Sequence, residues 1–218
     1  VTVPHKSAAF EFATDLSSDA AAVAAVNTLI RNPSGDIRGE NTDGIGLLND
    51  IERNLGWDIK DKRVLILGAG GAVQGVIPSL LRAAPNCIVL ANRTYERAEA
   101  LAAKQNDDRM LALPISNLSE QSAFDVIVSA SSAGLSESEA RVGSFLPDSL
   151  KANHTCCYDM IYGKPTEFLR WAEPLPFSQR SDGLGMLVEQ AARSFELWFG
   201  VKVSTQPVLE HVRAQVNA

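Results

Sequence analysis

The chain has 218 residues, of which 45% are hydrophobic and 21% are charged, and its formal net charge is −6. This composition is ordinary for a globular protein, and the length allows one large domain or two small ones. Because the balance is acidic and no run of Lys or Arg occurs, nucleic acid and anionic membrane surfaces are poor candidates for the main partner. No apolar stretch reaches the roughly 18 residues that span a bilayer. With no recognisable signal peptide, we expect a cytoplasmic protein.

The three cysteines do not indicate a disulfide framework or a metal site. Cys156 and Cys157 are adjacent and Cys87 stands alone, so the number is odd and no zinc-ligand spacing occurs. Each cysteine lies in an apolar, strand-like run, and we expect all three to be small buried hydrophobic side chains. The sequence therefore predicts no metal centre.

The first 60 residues predict short helices and a small pair of strands. Residues 10–16 and 19–24 are interpreted as helical pieces. Residues 25–31 and 37–41 are interpreted as strands, because a turn-rich connection of Asn, Pro, Ser, Gly and Asp joins them. Residues 43–55 predict an amphipathic helix. The apolar side of that helix carries Ile45, Leu48, Ile51 and Leu55.

After residue 60, predicted strands and helices alternate regularly. The predicted strands are residues 64–67, 87–91, 110–113, 124–129 and 155–159. The predicted helices are residues 72–84 with a kink near Pro78, 95–104 with Thr94 as the cap, a short helix from 166, 184–199 and 206–216. Strands that alternate with helices indicate a parallel, doubly wound sheet with right-handed crossovers.

This layout predicts two α/β domains. A doubly wound, Rossmann-like nucleotide domain would span residues 43–182, and a smaller substrate domain would combine residues 1–42 with residues 183–218. A cleft between two domains is a common place for a small-molecule site.

A glycine cluster follows the first predicted strand of the larger domain. The run Arg63-Val-Leu-Ile-Leu leads directly into Gly68, Ala69, Gly70, Gly71 and Ala72. A helix start presents unpaired N–H groups and a partial positive charge, and glycines let a pyrophosphate approach the backbone closely. Val73 stands where the usual motif has its third glycine, so the context of strand, turn and helix carries the prediction. The cluster indicates a bound dinucleotide.

The end of the second predicted strand indicates which dinucleotide is bound. An acidic residue at this point would contact the ribose 2′-hydroxyl of NAD. The sequence instead has Asn92, Arg93 and Thr94, followed by Arg97. Guanidinium groups form bidentate contacts with phosphate oxygens, so the segment favours NADP. The alternative is that both arginines are solvated surface charges at a helix start.

Polar residues also interrupt apolar stretches elsewhere, and several of them lie in motifs of one family. Seven segments occur in order along the whole chain: Val1-Thr-Val-Pro-His-Lys6, Ala25-Val-Asn27-Thr-Leu, Asn41-Thr-Asp43-Gly-Ile-Gly46, Gly68-Ala-Gly-Gly-Ala72, Asn92-Arg-Thr94, Tyr158-Asp-Met-Ile-Tyr162 and Asp182-Gly-Leu-Gly-Met186-Leu-Val-Glu-Gln190-Ala-Ala. Together they resemble the shikimate dehydrogenase family. The resemblance implies NADPH-dependent reduction of 3-dehydroshikimate to shikimate, in the pathway to chorismate and the aromatic amino acids.

The same resemblance implies roles for individual residues. Lys6 and Asp43 would be the catalytic pair, and which of them holds the proton at each stage stays open. The implied substrate contacts are Thr2, Asn27, Tyr162 and Gln190. The residues implied to lie near the cofactor, besides the glycine turn and the arginine segment, are Ser129, Ser131, Gly183 and Met186.

One feature of the family pattern leaves an alternative open. The family's N-terminal strand-helix-strand-helix unit would precede Val1, so we expect an N-terminally truncated chain with an incomplete substrate domain. Such a chain could be an NADP-binding module without turnover, and a quinate/shikimate dehydrogenase of broader specificity is a further alternative. We expect a monomer or a homodimer.

Overall fold

The computed structural model describes residues 1–130, 146–173 and 179–216, which form two sheets flanked by helices. The strands are β1 (Asp15–Leu16), β2 (Thr28–Arg31), β3 (Ile37–Glu40), β4 (Arg63–Leu67), β5 (Cys87–Asn92), β6 (Met110–Pro114), β7 (Val126–Ser129), β8 (Cys156–Asp159) and β9 (Gln179–Asp182). The α-helices are α1 (Lys6–Phe12), α2 (Ser18–Val23), α3 (Asp43–Asn49), α4 (Gly71–Arg82), α5 (Tyr95–Gln105), α6 (Glu167–Ala172), α7 (Leu184–Phe199) and α8 (Gln206–Val216). A π-helical segment, Asp50–Asn54, continues α3.

The larger sheet confirms the predicted doubly wound fold. Its strands lie in the order β6-β5-β4-β7-β8-β9, and every neighbouring pair is parallel. Strands β5 and β6 lie on one side of β4 in the sheet, and β7, β8 and β9 lie on the other side. This reversal of strand order at β4 is the arrangement of dinucleotide-binding folds. Folds of this kind bind their ligands beyond the carboxyl ends of the two strands at this point, which here are β4 and β7.

Two apolar cores cover the two faces of this sheet. Val64 and Ile66 of β4 belong to one core, and Leu65 and Leu67 belong to the other. Successive side chains of a strand point to opposite faces, so a strand buried on both sides is apolar throughout. The uninterrupted apolar run of β4 therefore reflects helices on both faces of the sheet.

The smaller sheet has the order β1-β3-β2, with β1 parallel and β2 antiparallel to β3. The prediction of a helix over residues 10–16 was wrong in its second half. Helix α1 ends at Phe12, and Asp15 and Leu16 pair with β3. The backbone N–H and the hydroxyl of Thr14 donate to the Ile37 carbonyl at 2.8 and 3.1 Å, so pairing with a distant strand ends the helix.

Helix α3 packs between α4, which follows the first strand of the larger sheet, and α7. At Gly46, an added Cβ would lie 2.8 Å from Cβ of Gln190 in α7, which is too close for any side chain. Leu47 of α3 is buried, as are Asp50 and Ile51 of the segment that continues it, while Ile45 and Leu48 of the predicted apolar side are only half-buried. The period of the apolar residues thus predicted the helix, but only part of its buried side.

Candidate active site

An ion pair between Lys6 and Asp43 lies where α1 and α3 begin. Nζ of Lys6 donates to Oδ2 of Asp43 at 2.5 Å. The Asp43 side chain is 5% exposed and the Lys6 side chain is 23% exposed, so the ammonium keeps access to solvent and the carboxylate does not. A carboxylate in the first turn of a helix is also favoured by the helix dipole.

Asn27 holds the other oxygen of the same carboxylate. Its Nδ2 donates to Oδ1 of Asp43 at 2.8 Å. Its own Oδ1 accepts from the Thr42 N–H at 3.0 Å and from the Thr28 hydroxyl at 2.9 Å. These contacts fix which way the amide faces, because oxygen and nitrogen each meet a matching group. Both carboxylate oxygens of Asp43 therefore have a donor, and the orientation of the group is fixed.

Gln190 closes the cluster from helix α7. Its Oε1 lies 3.5 Å from Nδ2 of Asn27. One turn later, the Ser194 hydroxyl oxygen lies 3.1 Å from the Gln190 carbonyl oxygen and 2.7 Å from the Thr28 hydroxyl oxygen. A buried row of hydroxyls thus ties β2 to α7. Lys6, Asn27, Asp43 and Gln190 come from distant parts of the sequence and form one hydrogen-bonded cluster.

Two predicted substrate contacts lie outside this cluster. Thr2 is exposed, and its carbonyl accepts from the His5 N–H at 2.8 Å. Tyr162 follows β8 and is 45% exposed. Within the described residues, no hydrogen bond joins either side chain to the cluster. Their predicted roles remain predictions.

The glycine turn has the geometry that a pyrophosphate site needs. Gly68 has φ +124°, a conformation that favours glycine, and its N–H donates to the Ala91 carbonyl at 2.8 Å. Helix α4 begins at Gly71, so its first N–H groups have no partner within the helix. A Cβ at Gly70 or Gly71 would meet nothing within 4 Å, so the space above the turn is open. Ala69 and Ala72 complete the turn, and the site fits a dinucleotide.

The segment after β5 is exposed. Nδ2 of Asn92, the last residue of β5, donates to the Thr94 carbonyl at 2.8 Å. Thr94 is in the capping position of α5, but its side chain makes no capping hydrogen bond, so the predicted cap is absent. Arg93 and Arg97 are exposed, and neither guanidinium pairs with a carboxylate of the described residues. Both are available to bind an anionic ligand.

Ser129 ends β7 beside the end of β4. Ser129 is buried and lies opposite Asp159 in the neighbouring strand β8, and the Asp159 carboxylate accepts from the Thr166 hydroxyl at 2.5 Å. Burial raises the pKa of Asp159 above its ordinary value, while its hydrogen bonds act in the opposite direction. Ser129 therefore lies beside a buried carboxyl group, and Ser131 lies outside the described residues.

Gly183 and Met186 lie at the start of α7. A side chain on Gly183 would collide with the backbone of Met160, and the Gly183 N–H donates to the Ile161 carbonyl at 3.2 Å. Met186 is buried and packs in the core that α3 and α4 share with the sheet. The end of β8 and the start of α7 are therefore in direct contact.

The sequence did not reveal a second buried polar cluster, formed by Asp50, Asn54, Tyr158 and Glu189. The Tyr158 hydroxyl donates to Oδ2 of Asp50 at 2.6 Å. Burial raises the pKa of Asp50, and the nearby charge of Glu189 acts in the same direction. The only signal in the sequence was Asp50 itself, an acidic residue within one turn of the predicted apolar positions. A single aspartate on a predicted helix does not distinguish a buried position from an exposed one.

The described ranges contain neither a membrane-spanning helix nor a group of metal ligands. No helix there combines the length and apolar character that crossing a membrane requires. No three His, Cys, Asp or Glu side chains there are grouped as metal ligands would be.

The doubly wound sheet, its glycine turn and the polar cluster at α1, α3 and α7 define the class of dinucleotide-dependent oxidoreductases. The sequence model of shikimate/quinate 5-dehydrogenase matches residues 50–140, and that of the shikimate 5′-dehydrogenase C-terminal domain matches residues 183–213. Shikimate dehydrogenase (NADP(+)) of Alcanivorax borkumensis is 48% identical over 98% of this chain and 76% of its own length. The chain belongs to the shikimate dehydrogenase family.

Solved structures support the same assignment. An Ael1 enzyme from Pseudomonas putida superposes with a TM-score of 0.88 at 41% identity, over 96% of this chain and 76% of the other. Shikimate 5-dehydrogenase from Thermus thermophilus, solved in complex with NADP(H) and shikimate, has a TM-score of 0.82 at 32% identity, over 98% and 77% of the two chains.

Proposed function

We propose that the protein catalyses the reversible, NADPH-dependent reduction of 3-dehydroshikimate to shikimate, a step in aromatic amino acid biosynthesis. The observation that carries this proposal is the cluster in which Lys6 and Asn27 hold the two oxygens of Asp43. The family to which the chain belongs supports the choice of substrate.

The cofactor would bind along the carboxyl ends of β4, β5 and β7. The open turn of Gly68, Ala69, Gly70, Gly71 and Ala72 would hold the pyrophosphate. Arg93 and Arg97, with Asn92 and Thr94 beside them, would neutralise the 2′-phosphate. The residues proposed for the nicotinamide end are Ser129, Ser131, Gly183 and Met186. When bound, NADPH supplies the hydride for the reduction.

Lys6 supplies the proton chemistry in this proposal. Its ammonium would donate a hydrogen bond to the carbonyl oxygen of the substrate, polarise the carbonyl, and give that oxygen a proton as the alcohol forms. Asp43 orients the ammonium through the 2.5 Å contact and accepts from a substrate hydroxyl. In the reverse direction, the same pair would take the proton from the hydroxyl of shikimate.

The remaining polar residues would bind the substrate's hydroxyls and carboxylate. Asn27 and Gln190 offer amide groups beside Asp43, and Thr2 and Tyr162 offer hydroxyls. We further propose that residues 1–42 and 183–218 form the substrate domain and residues 43–182 the NADP domain. The three free cysteines suit the reducing cytoplasm, where the protein would act as a monomer or a homodimer.

Initial rates with three pairs of reactants test the proposal. We expect the purified chain to reduce NADP with shikimate, and to do so with a higher kcat/KM than with NAD and shikimate, or with NADP and quinate. Product analysis should give 3-dehydroshikimate. NADP binding without turnover of either substrate would contradict the proposal and favour a nucleotide-binding module, and equal rates with quinate would favour the broader enzyme.

A further inference from the structure

A buried carboxyl group links α3 to the start of α7. Asp50 opens the π-helical segment that follows α3, and only 2% of its surface is exposed. Oδ2 accepts from the Tyr158 hydroxyl in β8 at 2.6 Å, and Oδ1 accepts from Nδ2 of Asn54 at 2.9 Å. A buried carboxyl group with donors on both oxygens is held in one orientation.

The same cluster extends into α7. Nδ2 of Asn54 lies 3.2 Å from Oε1 of the buried Glu189 in α7. Any side chain at position 185 would overlap the Asp50 carboxylate, so Gly185 lets the first turn of α7 rest directly on it. The carboxylate therefore meets the helix at its backbone as well as through side chains.

The position of this contact matters for the proposed site. Asp43 begins α3, and the Asp50 cluster is about two helical turns further on. Gln190 lies one residue after Glu189 in α7, and Gly46 of α3 touches Gln190. Two contacts between the same pair of helices, at Gly46 and at Asp50, fix both their separation and their rotation about each other.

We propose that Asp50, Asn54 and Tyr158 are positioning residues, which lock the first turn of α7 against the end of α3 and so set where Gln190 and Met186 lie relative to Asp43. None of the three touches the Lys6–Asp43 pair, and they act through the helices that carry the site. The effect on turnover rests on the proposed function, whereas the effect on α7 itself does not.

Two variants and one control test this inference on the full chain. Tyr158→Phe removes the hydroxyl that donates to the Asp50 carboxylate beneath Gly185 of α7, and Asn54→Ala removes a half-buried side chain that the fold should tolerate. The control is Thr155→Val, just before β8, which removes a buried hydroxyl that donates to the Phe124 carbonyl at 2.7 Å. All three changes delete side-chain hydrogen bonds of buried or half-buried residues, but only the first two lie beside α7.

Hydrogen exchange of α7 is the first readout. We expect amides of residues 184–190 to exchange about fivefold faster in Tyr158→Phe and Asn54→Ala than in wild type, the size expected for one lost hydrogen bond, and at the wild-type rate in Thr155→Val. Should Tyr158→Phe fail to fold, Asn54→Ala decides the question alone. Unchanged exchange in α7 would overturn the inference whether or not the protein oxidises shikimate.

Kinetics is the second readout. In both test variants we expect kcat with shikimate to fall about tenfold, because a site displaced by a fraction of an ångström loses alignment. The stoichiometry of NADP binding should remain that of wild type. If kcat falls in proportion to the number of NADP sites, the variant is partly unfolded and the positioning role is overturned. An equal fall of kcat in Thr155→Val would also overturn it. An inactive wild type with faster exchange in the variants would refute the proposed function alone.

Discussion

The two ends of the proposed site differ in how much the protein prepares before any ligand binds. At the substrate end, Asp43 is buried and Lys6 and Asn27 already hold both of its oxygens. At the cofactor end, Arg93 and Arg97 are exposed and pair with no carboxylate of the described residues. In the proposed site, the chemistry would thus depend on buried groups that hydrogen-bond to one another, and the choice of cofactor would depend on exposed charges.

This difference indicates how each end should respond to substitution. Groups in an interlocked cluster depend on one another, so a single change disturbs several contacts and its effect is large. Exposed charges act almost independently, and each contributes only its own contact with the ligand.

Asp43→Asn should have a larger effect than either Arg93→Asp or Asp50→Asn. The substitution keeps the shape of the side chain but removes the charge that orients Lys6, and we expect kcat with shikimate to fall about 10²- to 10³-fold. Asp36→Asn, in the exposed turn between β2 and β3, is the matched control and should leave the rates unchanged. Initial rates measure both. A loss of less than about tenfold would show that Asp43 only binds substrate.

Arg93→Asp should have an intermediate and selective effect. Loss of a charged contact with the 2′-phosphate, with a repulsive carboxylate in its place, should raise the KM for NADP about 10- to 100-fold. The KM for NAD should change little. Arg31→Asp, the same charge change on the smaller sheet, should affect neither cofactor. If Arg93→Asp weakens both cofactors equally, Arg93 has no role at the 2′-phosphate.

Asp50→Asn should produce the smallest effect, visible as a pH dependence of stability. Burial raises the pKa of Asp50 above its ordinary 3.8, with Glu189 acting in the same sense and Tyr158, Asn54 and Arg213 opposing it. The folded protein therefore binds this proton more tightly than the unfolded chain does. That contribution to stability is complete below pH 3.8 and is lost as the pH rises through the folded value.

The asparagine variant has no such proton, so its free energy of unfolding should improve relative to wild type as the pH rises from 4 to 7. Urea denaturation of both proteins at several pH values measures the difference, and all other titrating groups are shared. A difference that stays constant across this range would contradict a raised pKa for Asp50.

The sequence predicted those helices and strands whose own residues show a run or a period of apolar side chains. Strands β4, β5 and β8 are apolar runs, and α7 and α8 have exactly the predicted ends, so these elements were found. Strand β9 reads Gln-Arg-Ser-Asp and lies at the sheet edge, so it has no apolar signal and was missed. Strand β1 consists of two residues that pair with β3, and no local sequence pattern indicates that pairing.

The same limit applies to the site. Lys6, Asn27 and Gln190 were predicted because their motifs resemble one family, whereas their contacts join residues up to 163 positions apart. Asp50 and Tyr158 gave no comparable signal. A polar side chain within an apolar stretch can either face solvent or be buried against a partner, and only the packing of α3 against two helices shows that Asp50 is buried.

The most direct test of this account compares wild type with Lys6→Met, which keeps much of the side chain's length and loses its charge and its proton. Shikimate-dependent reduction of NADP should fall about 10³-fold, and NADP should bind with unchanged affinity. Lys60→Met, at an exposed position, should match wild type in both measurements. Residual activity of Lys6→Met within about tenfold of wild type would contradict the central claim that Lys6 supplies the proton.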